Sequence, residues 1–154
     1  MKIFIPGVII ACIAFFPSLL YAIFLPKGAA DKKDGTNTFF TALERIGQAG
    51  CIIALFVAPD IDRAGAKLNV FFWLMCAALV LQYAVWIRYF LKGRDAAYLY
   101  ERFLLVPVPM AVFPVLAFAF SALWLKSMFL GAAVAFLAVG HIAVTVFAKR
   151  QQKK

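Results

Sequence analysis

Residues 36–59 read TNTFFTALERIGQAGCIIALFVAP, an apolar run of spanning length that carries Glu44, Arg45 and Gln48 in its first half. About 20 mostly apolar residues suffice to cross the ~30 Å hydrocarbon core of a bilayer as a helix. Ionisable side chains at such depth cost on the order of 2 to 3 kcal/mol each at mid-bilayer, less near the ends, so they need partners. Reading this stretch as a transmembrane helix therefore turns the rest of the chain into the place where those partners must be found.

The remainder supports that reading. The chain has 154 residues, of which 66% are hydrophobic and 15% charged, with a mean hydropathy of +0.93. Soluble domains are usually only about half apolar. The fold class implied is an all-α integral membrane protein, a single polytopic domain over 1–154 with five transmembrane helices at about 3–25, 39–58, 68–91, 103–125 and 127–148. A cleaved signal peptide with a site at Gly28-Ala29-Ala30 is the competing reading of the first run. That run is too long for a signal core and has only Lys2 before it. A formal charge of +9 could suggest nucleic acid, but the Lys and Arg residues flank apolar spans and no basic face with interleaved aromatics lies outside them. No nucleic acid is expected; the basic residues instead meet anionic lipid headgroups.

Local signals refine each span. Pro6 lies in a first turn, where a missing N–H costs nothing, whereas Pro17 should kink the first helix and free the carbonyl of Ile13. Residues 26–38 have loop composition, and Thr36, Asn37 or Thr38 can cap the second helix. Glu44, Gln48, Cys51 and Leu55 then share one face of it, with Arg45 about 100° round, and Gly47 and Gly50 leave room for a close neighbour. In the third span Gln82, Trp86 and Tyr89 share a face, with Tyr83 beside them and Arg88 near the end. The fourth opens with Pro107, Pro109 and Pro114 and is expected to be broken by them, leaving the carbonyls of Leu105 and Met110 without their usual donors. Lys126 marks a short hairpin, and the fifth span sets His141 and Thr145 one turn apart.

Basic residues favour the cytoplasmic side. With five spans, Lys27, Lys32, Lys33, Lys92, Arg94, Arg102, Lys149, Arg150, Lys153 and Lys154 fall on one side and only Lys2, Arg63, Lys67 and Lys126 on the other. The expectation is an amino terminus outside and a carboxyl terminus in the cytoplasm, in a cell membrane of bacterial cytoplasmic type. At 1.5 Å per residue, Glu44 lies about 8 Å, His141 about 10 Å and Gln82 about 13 Å from the inner helix ends. The polar groups of separate helices thus converge on the cytoplasmic half of the bilayer.

The ligand-binding or proton-exchanging candidates are Glu44, Arg45, Gln48, Gln82, Tyr83, Arg88 and His141. Glu44 can instead pair with Arg88 or Arg45 simply to fasten the second helix to the third. His141, the single histidine, cannot build a multi-histidine metal site, and Cys12, Cys51 and Cys76 form no CxxC pair. No metal and no cofactor are expected. Tyr83, Trp86, Tyr89, Tyr98 and Tyr100 read first as an interfacial aromatic belt. No hydrolase or phosphate-loop signature is present. Glu44-Arg45 followed by Arg88-Tyr89-Phe90 resembles the pattern of the membrane-associated proteins of eicosanoid and glutathione metabolism over about 43–93. That resemblance implies glutathione near the helix ends, with Arg45, Glu44 and Arg88 as its contacts. The family's Asn and second acidic residue fall here on Ile52 and Leu55, and the fifth helix is additional. The functional expectation is binding or transport of a small polar or anionic molecule, or a proton, through a cytoplasm-facing polar pocket. The alternatives are a glutathione-dependent membrane enzyme and a structural subunit. Five unrepeated spans are few for an independent transporter, so a homo-oligomer or larger membrane complex is expected.

Overall fold

The computed structural model describes residues 3–24, 37–57, 67–95 and 97–151. It contains helices α1 (Ile5–Ile23), α2 (Thr38–Phe56), α3 (Val70–Leu91), α4 (Ala97–Tyr100), α5 (Pro109–Leu125) and α6 (Met128–Gln151). The loop readings that fall on residues 25–36 and 58–66 lie outside the described residues. Four helices, α1, α2, α3 and α6, are long and apolar enough to cross a membrane, and α5 is a shorter apolar helix. Only 22% to 33% of each spanning window is buried inside the bundle. Val80, Ile46 and Phe129 are each more than half exposed. Helices this apolar that turn most of their residues outward require lipid as solvent, and the chain is a multi-pass helical membrane protein.

Caps and breakers set the helix ends. Asn37 accepts the backbone N–H of Phe39 at 3.0 Å and starts α2. Asn69 does the same for α3 through Phe72 N at 3.1 Å. α5 ends at Lys126, which sits at φ 50 in the left-handed region. Ser127 Oγ then accepts Leu130 N at 3.2 Å and opens α6, so the hairpin at Lys126 is as short as the sequence implies.

The fourth apolar run departs from expectation. It does not form a helix from 103. Phe103 and Val106 exchange backbone hydrogen bonds at 3.1 and 3.0 Å, Leu104 has φ 53, and α5 begins only at Pro109. The physical reason is Pro109 itself, which disfavours α geometry at Val108, found at φ −140 and ψ 74. Pro109 therefore occupies a free first turn, and Leu105 loses no helical donor. Only Pro114 lies inside the helix.

The helices pack α2 against α6, α3 against α5, and α5 against α6. α2 and α6 run antiparallel with their backbones touching. A Cβ on Gly47 would lie 2.3 Å from Leu137 N, and one on Gly140 would lie 2.3 Å from Glu44 N. Such contact is the small-residue packing that holds helices together in lipid. One apolar cluster, including Ala11, Cys51, Leu55, Met75, Phe118 and Leu130, fills the half of the bundle near the α5–α6 hairpin. A second cluster of Val85, Trp86, Tyr89, Leu99 and Phe113 lies toward the opposite end. Trp86 and Tyr89 are 4% and 0% exposed. These two rings pack inside, against Tyr21 at 5.8 and 6.3 Å, and do not form a lipid-facing belt.

Candidate functional site

Proline chemistry places the first polar contacts. Pro17 has no N–H for the carbonyl of Ile13, and Tyr83 Oη donates to that oxygen at 2.9 Å. One residue on, Gln82 Nε2 donates to Ala14 O at 2.8 Å, so α3 is tied to α1 one turn before Pro17. The same logic holds on α5. Pro114 deprives Met110 O of a helical donor, and His141 Nε2 faces that oxygen at 3.4 Å.

His141 also links α6 to α2. Its Nδ1 lies 2.6 Å from Glu44 Oε1, with side chains 17% and 14% exposed. Gln48 Nε2 donates to the same Glu44 oxygen at 3.3 Å, and Thr145 Oγ1 donates to His141 O at 2.6 Å. Both imidazole nitrogens thus face oxygens. A neutral imidazole has one N–H, so it can donate in only one of these two contacts.

The pair lines a cavity of about 610 Å³ at the end of the bundle where α1 finishes and α2 begins. Its walls include Ser18 and Tyr21 of α1, Thr38, Thr41, Arg45 and Gln48 of α2, Trp86 of α3 and Met110 of α5. A second, deeper chamber of about 30 Å³ adjoins it, lined by Gln82, Phe15, Pro114, Phe118 and Leu137 as well as by residues of the outer cavity. Gln82 is 3% exposed, and its Oε1 has no hydrogen-bond partner among the described residues. A buried carbonyl oxygen left so costs about 1 to 3 kcal/mol.

Among the sequence candidates, Glu44, Arg45, Gln48 and His141 come together on the outer cavity, and Gln82 joins them through the chamber. Tyr83 and Arg88 line neither. Arg88 pairs with Glu101, donates to Arg102 O at 3.4 Å and lies 5.3 Å from the Tyr98 ring. The Glu44–Arg88 pairing, one of the two fastenings open to Glu44 in the sequence, is not formed; Glu44 meets His141 instead. A glutathione site built on Arg45, Glu44 and Arg88 together is not assembled. The wall residues Ser18, Tyr21, Thr38, Thr41 and Met110 went unread as site residues. Thr38, Thr41, Arg45 and Gln48 do repeat at helical spacing, a polar stripe that was available on α2.

No protein-family model, curated protein or solved structure matches this chain.

Proposed function

We propose that this protein binds or transports a small polar or anionic molecule, or a proton, through the cavity that Glu44 and His141 share. The observation that carries the reading is the 2.6 Å contact between those two side chains at the wall of a cavity of about 610 Å³. Histidine is the side chain suited to gaining and losing a proton near neutral pH, and a carboxylate beside it gives that proton a second seat. Arg45, exposed on the same wall, offers an anion a full positive charge there.

In this reading α5 completes a fifth crossing. Its 17 residues rise about 26 Å at 1.5 Å each, and the hydrogen-bonded turn at Phe103 and Val106 covers the remainder toward one face. The excess of Lys and Arg at the end carrying Lys92, Arg94, Arg102, Lys149 and Arg150 puts that end, and the cavity mouth, in the cytoplasm of a bacterial type of cell membrane. Anionic headgroups ring it, and copies of the chain or a larger complex complete the assembly.

The test is proton flux into proteoliposomes loaded with a pH-sensitive dye. Glu44→Gln is expected to lower flux at least tenfold while the yield of monodisperse protein holds. Loss of folded protein in step with flux would reduce the pair to a structural fastening. Thermal stabilisation by glutathione would move the reading to the enzyme, and copurification of a stoichiometric partner to the subunit.

A further inference from the structure

Five helices ring the outer cavity in the order α1, α2, α6, α5, α3, and among the described residues four of their five seams are tied at its level. α2 and α6 touch at Gly47 and Gly140, and Phe40 meets Phe147 at 6.2 Å between ring centroids. α6 is held to the start of α5 by His141 at Met110 O, 3.4 Å, and by Lys149 donating to Pro107 O at 2.7 Å. α5 meets α3 where Met110 and Phe113 cluster with Trp86. α3 closes on α1 through the Tyr21–Trp86 rings and through Tyr89, whose hydroxyl donates to Phe24 O at 3.3 Å. The fifth seam is joined only at the far end of the bundle. There Phe4 N of α1 donates to Phe56 O of α2 at 3.3 Å, and a Cβ on Gly7 would run into Leu55 O.

Exposure marks the same seam. Ser18 and Ala22 of α1 and Thr38 and Arg45 of α2 are exposed wall residues, whereas Trp86 of α3 is 4% exposed and Met110, His141 and Val144 are half-buried. The gap reaches down the side of the bundle. Ser18 lies five residues before the end of α1 and Arg45 seven after the start of α2, about 8 and 10 Å at 1.5 Å per residue. The outward neighbours at that depth are Leu19 and Ile46, 58% and 61% exposed, so the gap gives onto lipid.

An occupant of such a gap has to suit lipid on one side and polar walls on the other. Arg45 carries its charge whatever Glu44 and His141 do with their proton, and its fork of N–H donors matches a phosphate or carboxylate. Glu44, about 100° round the helix, is engaged with His141 and Gln48. Ala49 and Ile52 follow Arg45 on its own face of α2 at i+4 and i+7. Both are exposed, an apolar track leading from the guanidinium toward mid-membrane. A soluble anion needs no such track, and a plain hydrocarbon needs no such cation.

We propose that the outer cavity is entered sideways, between α1 and α2, by a membrane amphiphile with an anionic oxyanion head. The head reaches Arg45 and Thr41 while the chain stays in lipid along Ala49 and Ile52. The proposal rests on the reading of this cavity as a binding site and supplies its ligand class and its route. A volume of about 610 Å³ is in the ordinary range for small-molecule sites and has room for a head group of that kind.

The experiment is photolabelling of the full chain in nanodiscs of zwitterionic lipid. The probe is a single-chain glycerophosphate lipid with a diazirine near the head of its acyl chain, and adducts are mapped by mass spectrometry. Label is expected within residues 18–22 and 41–52, and unlabelled lipid of the same head and chain should suppress it fivefold or more. Glycerol 3-phosphate, the head without a chain, and monoacylglycerol, the chain without the charge, should change it less than twofold at equal concentration. Suppression by glycerol 3-phosphate as strong as by the lipid would make the ligand a soluble anion, overturning the lateral route while leaving the cavity a binding site. Equal suppression by monoacylglycerol would overturn the anionic head. Label absent from the seam, or no denser there than on exposed residues such as Val80 and Leu123, would overturn the proposal outright. Arg45→Gln should lower the seam label fivefold or more and Arg45→Lys should retain most of it; the wild-type competition stands even where a variant folds poorly. Labelling is read without any flux measurement, so a failure of proton movement and a failure of lipid entry are separate results.

Discussion

Replacing Gly140 by Ala is expected to pry apart the two helices that carry the Glu44–His141 pair. The new Cβ would lie 2.3 Å from Glu44 N and 2.6 Å from Glu44 Cα, where ordinary contacts begin at 3.4 Å. The α2 and α6 backbones must therefore separate by about 1 Å, since neither atom is on a flexible side chain. That displacement carries the 2.6 Å His141–Glu44 contact past the useful range of a hydrogen bond. Overpacking costs about 1 to 3 kcal/mol, and the lost contact adds roughly 1 kcal/mol in a membrane interior. Against this stands a helix-propensity gain of up to about 1 kcal/mol for Ala over Gly. The net expectation is a loss of about 1 to 3 kcal/mol, read as a shifted midpoint in equilibrium unfolding with a denaturing detergent followed by circular dichroism. Gly131→Ala on the same helix is the control, because nothing lies within 4 Å of its Cβ; it should be neutral or slightly stabilising. Equal midpoints for the two variants would mean that α2 and α6 do not touch at Gly140.

Tyr83→Phe strands the Ile13 carbonyl that Pro17 leaves free, and should cost about 0.5 to 1.5 kcal/mol in the same unfolding assay; in a Pro17→Ala background, where the helix supplies its own donor, the cost should fall to near zero. Arg88→Leu breaks a pair with a partly exposed Glu101, so its expected loss is below about 1 kcal/mol with proton flux unchanged, and a flux defect would return Arg88 to the site. Lys126→Gly relieves a left-handed residue at φ 50 and should stabilise the α5–α6 hairpin by about 1 kcal/mol, measurable as a raised midpoint.

Length and hydropathy were enough to read the helical membrane character, because spans longer than 18 residues leave few other homes for so much apolar surface. Faces were legible too. Gln48 hydrogen bonds Glu44 one turn away, Gln82, Trp86 and Tyr89 all point inward, and the carbonyls freed by Pro17 and Pro114 meet side chains. The start of α5 was misread although its signal was present: a residue preceding proline resists helix, and Val108 precedes Pro109. The partner of Glu44 was a different matter. Periodicity assigns a side chain to a face but does not say which helix that face meets, so Arg88 and His141 were equivalent on paper. What separates them in space is Glu101, which holds Arg88, and the glycine contacts that press α2 onto α6.

The contact of Phe15 with Phe118, ring centroids 5.4 Å apart on the deeper chamber, has an electrical consequence. In the proposed reading, with the cavity open to one compartment, water in it would carry the potential of that compartment inward as far as Trp86, Met110 and His141, which line both spaces. The transmembrane voltage would then drop mainly across the dry half of the bundle, through Leu55, Met75 and Leu130. A full crossing is worth about 2.3 kcal/mol per elementary charge at 100 mV. A proton settling on Glu44 or His141 from the cavity side thus feels little of that field, while any charge driven past the two phenyl rings would feel nearly all of it.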